Sequence, residues 1–116
     1  MKRDKKKLSH HELDLLTKKF EPVQFTNDSD LVYDNQVPNT GVVLLEGEAV
    51  LTRKNKILDP IEPGTLLGVK QLIENEPVKH GCRVRESAKV ILLHKSDLKE
   101  IIEDSDEALK KAVIPE

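Results

Sequence analysis

Cysteine is nearly absent: Cys82 is the only one in 116 residues. An internal disulfide framework is therefore excluded, and nothing points to an oxidising compartment. Long apolar stretches are missing too. No run exceeds five residues, against the roughly twenty that a membrane-spanning helix needs. The basic start Met1-Lys2-Arg3-Asp4-Lys5-Lys6-Lys7 leads into no apolar segment, so it is not a secretory signal, and a cytoplasmic location is the expectation. Charge of one sign does not dominate. Nineteen basic and 21 acidic residues leave a net charge of −2, so no global field draws the chain to DNA or to a membrane. The four histidines, His10, His11, His80 and His94, include no H-x-H pair. Adjacent helical positions diverge by about 100°, so His10 and His11 are expected as surface residues, and no metal site is expected. There is no glycine-rich phosphate loop, and Cys82 has no base beside it in sequence. Catalysis and a cofactor are accordingly not expected.

What is present reads as a small β-rich domain. A chain of this length holds one hydrophobic core. Regular runs of Val, Ile and Leu offset a charged fraction of 34% that would otherwise read as disorder. The segment 41–68 is the most informative. Val42 to Leu45 and Ala49 to Thr52 flank Glu46-Gly47-Glu48, which predicts a hairpin with glycine in its turn. Ile57 to Ile61 forms a third run, and Pro63-Gly64 breaks the chain before Leu66-Leu67-Gly68. Short strands with frequent turns predict an antiparallel roll or barrel, with Leu44, Val50, Leu58, Leu66, Ile91 and Leu93 in its core.

The flanking segments read in order. Residues 1–7 are a frayed basic terminus or an electrostatic contact to an acidic partner or nucleic acid, and no aromatic residue there could stack on bases. Ser9-His10-His11-Glu12 is a capping box, with Leu8 and Leu13 placed as a hydrophobic staple. Leu13, Leu16 and Phe20 share one helical face, which ends before Pro22. Val23 to Phe25 and Leu31 to Tyr33 are strands around a turn at 27–30. Val69, Leu72 and Ile73 make about one helical turn. Val78 to Val84 reads as a strand whose Gly81 marks a bulge or a close backbone approach. Arg85-Glu86-Ser87 turns the chain into a strand from Ala88 to His94. Ser96 caps a helix with Leu98, Ile101 and Ile102 on its apolar face. After a break at 104–106, Ala108, Leu109, Ala112 and Val113 are spaced for a buried stripe. The expected organisation is a basic terminus (1–7), one domain (8–113) and a tail (114–116).

This order resembles the cyclic-nucleotide-binding domain family, in a stand-alone, catabolite-activator-like form. Three stretches carry the resemblance: Val42 to Ala49, Ile61 to Gly68 and Ala88 to Ile102. It implies a mainly β fold with flanking helices, a double-stranded β-helix or jelly-roll-like β-roll. It also implies pocket positions at Leu67, Gly68, Val69, His80, Gly81 and Cys82. The chain departs from the family at those positions. Nucleotide-binding members have a glutamate after the glycine, to accept from the ribose hydroxyl, where Val69 stands. Aligning Val84-Arg85 puts His80, Gly81 and Cys82 where the family has an arginine, a small hydroxyl residue and an alanine. Lys79 could restore the charge only by a one-residue slip, which reverses the side chain's face. The resemblance therefore implies a degenerate site that binds neither cyclic AMP nor cyclic GMP, and one that Val69→Glu with His80→Arg could restore.

Two functional classes follow from it. The favoured one is an adaptor or regulatory protein of bacterial signalling that acts through a protein partner. Leu98, Ile101, Ile102, Leu109 and Val113 would form the interface, in a homodimer or with another chain. The alternative is a sensor of a non-standard nucleotide or cyclic dinucleotide, with Lys79, Arg83 and Arg85 as anion contacts. Nothing after Pro115-Glu116 remains to read DNA, and the final helical segment is only about two turns long, so no DNA-reading segment is expected.

Overall fold

The computed structural model describes residues 5–103 and 106–114. The elements run β1 (Lys5–Lys7), α1 (His10–Lys19), β2 (Val23–Phe25), β3 (Ser29–Val32), β4 (Thr40–Arg53), β5 (Lys56–Ile61), β6 (Thr65–Leu67), α2 (Val69–Glu74), β7 (Gly81–His94), α3 (Lys95–Glu103) and α4 (Glu107–Val113). All the described strand pairs are antiparallel. The sheet order is β1-β6-β4-β7-β2, with β3 also on β7 and β5 also on β4.

The long pair β4–β7 replaces two expected local features. The run around Gly47 is not a hairpin, and Arg85 to Ser87 is not a turn, because each lies inside a 14-residue strand. What reads locally as a turn is a shared bend. Gly47 has φ +90°, and Glu86 opposite has φ +30°. The register moves from Gly47↔Ala88 to Glu48↔Arg85, leaving Glu86 and Ser87 as extra residues. Such bulges bend a strand and increase its twist. At the bend each long strand changes its outer neighbour. β4 pairs first with β6 and then with β5, and β7 pairs first with β3 and then with β2. That exchange rolls the sheet.

Alternation along β4 and β7 explains their unbroken apolar runs. Val42, Leu44, Leu67 and Val90 face the interior of the roll, among Val32, Ala49, Leu51, Ile61, Val78, Cys82, Val84 and Ala88. Val43, Leu66, Ile91 and Leu93 face the other way, into a core completed by Leu8, Leu16, Val69, Leu72, Leu98, Ile101, Leu109, Ala112 and Val113. A strand buried on both faces has no polar position to alternate with.

The helices start and stop where their side chains dictate. Ser9 and Glu12 exchange both bonds of the capping box, and the Phe20 N–H closes α1 on the Leu16 carbonyl. Asp106 accepts from the Leu109 N–H to cap α4. At α3 the capping side chain is Asp97, which accepts from the His94 N–H at 2.9 Å, and not Ser96. Ala108 is exposed and lies off the buried stripe.

Three further expectations are corrected. Lys5 to Lys7 is not frayed but pairs with β6. Lys6 Nζ donates to the carbonyls of Lys111 (2.9 Å) and Ala112 (3.2 Å) in the last turn of α4, where a cation complements the helix dipole. Lys7 Nζ donates to the Pro63 carbonyl. Leu58 is 45% exposed, because β5 pairs only with β4 and stands at an edge; the other five expected core residues are buried. Leu98, Ile101, Leu109 and Val113 are at most 3% exposed and are used by the chain's own core. Of the five residues assigned to a partner interface, Ile102 alone stays exposed, at 47%.

These positions separate in denaturant titrations. Leu44→Ala is expected to cost about 2–5 kcal/mol, and Leu58→Ser less than about 0.5 kcal/mol. Gly47→Ala forces a side chain into positive φ and onto the Ser87 carbonyl, and is expected to cost at least about 2 kcal/mol. A Gly47→Ala chain as stable as the parent would contradict the shared bend.

Candidate functional site

Leu67, Gly68, Val69, His80, Gly81 and Cys82 were expected to line one pocket, and the structure distributes them over several environments. Gly68 caps α2 with φ +84°, a conformation open to glycine at little cost, and its carbonyl accepts from Leu72 N–H at 3.0 Å. That turn sends Leu67 and Val69 to opposite sides of the sheet, Leu67 into the roll and Val69 into the helix-side core. Val69 is 3% exposed. It sits over Gly41, where an added Cβ would come within 2.6 Å of Val69 Cγ2. Val69 is therefore a core residue rather than a pocket residue.

The three residues that start β7 differ in the same way. His80 is half-buried and Lys79 is exposed. Gly81 lies against the end of β3, where an added Cβ would stand only 2.5 Å from Thr52 Oγ1 and 2.6 Å from the Val32 carbonyl. This is the close backbone approach that glycine in a strand signals. Cys82 is 1% exposed inside the roll. Burial, then the charge of Asp30, push its thiol up to about 12, so it is protonated and a poor nucleophile at neutral pH.

The arginines face outward, alternating with Cys82 and Val84. Arg83 Nε donates to Asp30 Oδ1 at 2.8 Å and its Nη2 donates to Asn55 Oδ1 at 2.7 Å. The Asp30 hydrogen bond, reinforced by its charge, raises the Arg83 pKa. Arg85 Nε lies 3.2 Å from Asp28 Oδ2, an ion pair without hydrogen-bond alignment. Both arginines are half-buried, with Arg85 Nε itself shielded from solvent. The buried polar side chains among the described residues are Thr40, Thr52, Thr65 and Gln71, all uncharged. No charged residue is among the buried ones described.

Two features escaped the sequence reading. Gln71, on α2, is buried with no hydrogen-bond partner for Oε1, and nothing in its spacing distinguishes it from a surface glutamine. A surface groove of about 340 Å³ lies between α2 and α3, lined by Ile73, Lys95, Ser96, Leu98, Lys99 and Ile102. The i, i+4 spacing of Lys95 and Lys99 places them on one side of a helix, which was legible, but the concavity beside them was not. No helix among the described residues is long and apolar enough to cross a membrane.

No family model and no curated protein sequence matches the chain. Solved structures do match it. A protein of a cyclic-GMP-dependent signalling pathway that regulates bacterial phytopathogenesis superposes with TM-score 0.75 at 14% identity, over 90% of this chain and 87% of that one. A cyclic nucleotide-binding-like protein from Brucella abortus matches with TM-score 0.65 at 21% identity, over 83% and 86% of the two chains. The catabolite activator protein of Thermus thermophilus matches with TM-score 0.63 at 19% identity, over 83% of this chain and 47% of that one.

Two measurements check these environments. Val69→Glu places a carboxylate in the helix-side core, and is expected to destabilise the chain by on the order of 3 kcal/mol or more rather than to restore a ligand contact. Equilibrium unfolding of this variant checks it, and unchanged stability would mean that position 69 is open. For Cys82, the folded pKa stands above the ordinary thiol value of 9.0, so above that pH the unfolded chain loses the proton first. Its stabilising contribution is present below pH 9 and lost as pH rises towards about 12. Stability measured from about pH 8 to 11 should fall less steeply in Cys82→Ala than in the parent.

Proposed function

We propose that this chain, which has the β-roll fold of cyclic-nucleotide-binding domains, is a non-catalytic regulatory module that binds neither cyclic AMP nor cyclic GMP and acts by contacting another protein. The observation that carries this reading is the uncharged interior. Every buried polar side chain among the described residues is neutral, and the nearby arginines are engaged outside by Asp28 and Asp30. A cyclic phosphate entering the roll would leave its charge without a fixed cation. It would forgo a charge-assisted bond worth about 1.5–3 kcal/mol and add a desolvation cost of similar size. A combined loss of about 4–5 kcal/mol turns a micromolar site into a millimolar one. The absence of catalysis is supported by a protonated Cys82 with no activating base.

One observation favours a second reading, ligand sensing. The orphan Oε1 of Gln71 is a buried acceptor, and leaving one unmet costs about 1–3 kcal/mol. A hydrogen-bond donor on a different nucleotide could satisfy it.

Calorimetry on the full chain separates the two. Cyclic AMP and cyclic GMP are expected to bind no tighter than about millimolar. Binding of either at tens of micromolar would overturn the proposal. Binding of another nucleotide, lost in Gln71→Leu, would put the sensor reading first.

A further inference from the structure

We propose that the groove between α2 and α3 is the partner-docking site, and that it takes a short amphipathic segment of another protein with carboxylates beside its apolar residues. This rests on the reading that the chain works through protein contact. The groove supplies an apolar seat. Ile73, Leu98 and Ile102 line it, and Ile102 is 47% exposed on a helix whose Leu98 and Ile101 are fully buried. Ile102 is the apolar residue of α3 that the chain's own core leaves uncovered.

Charge identifies the occupant. Lys95 and Lys99 stand one helical turn apart on the groove, and no carboxylate among the described residues lines it. Several other surface cations have acids beside them, among them Lys7 with Glu62, Lys19 with Glu100, Arg83 with Asp30, Lys89 with Glu46 and Lys110 with Glu107. Lys95 and Lys99 have no ion pair among the described residues. Two acids of α3 are engaged elsewhere, Asp97 on the His94 N–H and Glu100 on Lys19, and Glu103 makes no ion pair among the described residues. Lys95 also opens α3, at the positive end of the helix dipole, where an ammonium does nothing for the helix. Two ammonium groups one turn apart match two carboxylates one turn apart on an incoming helix.

Size favours a short segment over a folded face. Six residues line the groove, well short of the roughly 800 Å² per partner that a standard interface buries. A symmetric contact between two copies would bring the same lysines to both sides and so juxtapose like charges.

The test uses the isotope-labelled full chain and two synthetic helical peptides. One carries leucines at i, i+3 and i+7 flanked by glutamates, and its twin has lysines in place of the glutamates. The glutamate peptide is expected to shift the amides of Ile73, Ser96, Lys99 and Ile102. The lysine peptide should bind at least about tenfold more weakly. In the doubly substituted chain Lys95→Glu/Lys99→Glu, whose positions are exposed, the preference should invert while the rest of the spectrum is retained. No shifts at the groove, or equal affinity for both peptides, would overturn the proposal. A dimer in sedimentation that Ile102→Asp abolishes would overturn it too, since a second copy would then fill the groove. Titrating cyclic AMP and cyclic GMP into the same sample keeps the two readings apart: shifts at Leu67, Cys82 and Val84 would sink the nucleotide-independent function and leave the groove result as measured.

Discussion

The pairing of β4 with β7 is the constraint on which the rest depends. These two strands stay paired from Thr40↔His94 to Thr52↔Gly81 through two register shifts, and near their Val42 and Leu92 ends they are buried on both faces. Val42 and Leu44 look into the roll, and Val43 looks towards the helices. Each fully buried side chain of this size contributes about 1.5–3 kcal/mol. One strand pair thus anchors two cores, and a slip of one residue would exchange the sets. Most elements outside the pair pack their apolar residues on one side of that wall or the other.

The bend at Gly47 and Glu86 turns this wall into a roll. A straight pair of this length would carry its neighbours along one plane. The extra residues Glu86 and Ser87 let the free edges change partner, β6 to β5 on one side and β3 to β2 on the other. The bend also explains the acidic residues around it. Glu46, Gly47 and Glu48 are exposed where the strand leaves the core, and Glu46 reaches Lys89 at 3.2 Å.

Strand alternation sets the electrostatics. With Cys82 and Val84 inside, Arg83 and Arg85 must be outside, where Asp30, Asn55 and Asp28 hold them. Among the described residues no charged side chain is buried in the interior. Lys95 and Lys99, which have no ion pair among the described residues, lie on α3 beside a concavity whose lining is otherwise largely apolar.

Local chemistry was legible from the residues alone. The capping box at Ser9 and Glu12, the end of α1 at Phe20, the cap at Asp106, the crowded Gly81 and the β-rich class all follow from contacts within a few residues or from composition. The order of these elements was enough for the resemblance to the cyclic-nucleotide-binding roll. What a residue faces was not legible where the deciding neighbour is distant in sequence. Glu46-Gly47-Glu48 looks like a hairpin turn until Ala88 and Arg85 are set opposite it. Lys5 to Lys7 has little strand propensity and becomes a strand only because β6 offers an unpaired edge. Leu58 alternates like a core residue but lies on a strand with a single neighbour. Val69 follows a glycine as a pocket residue would, yet the missing side chain of Gly41 draws it into the helix-side core. Propensity and capping act over one turn of chain, so the sequence by itself determined the elements. Burial is a property of the pairs that meet in space, so only the tertiary structure decided which faces became core, which became pocket and which remained free.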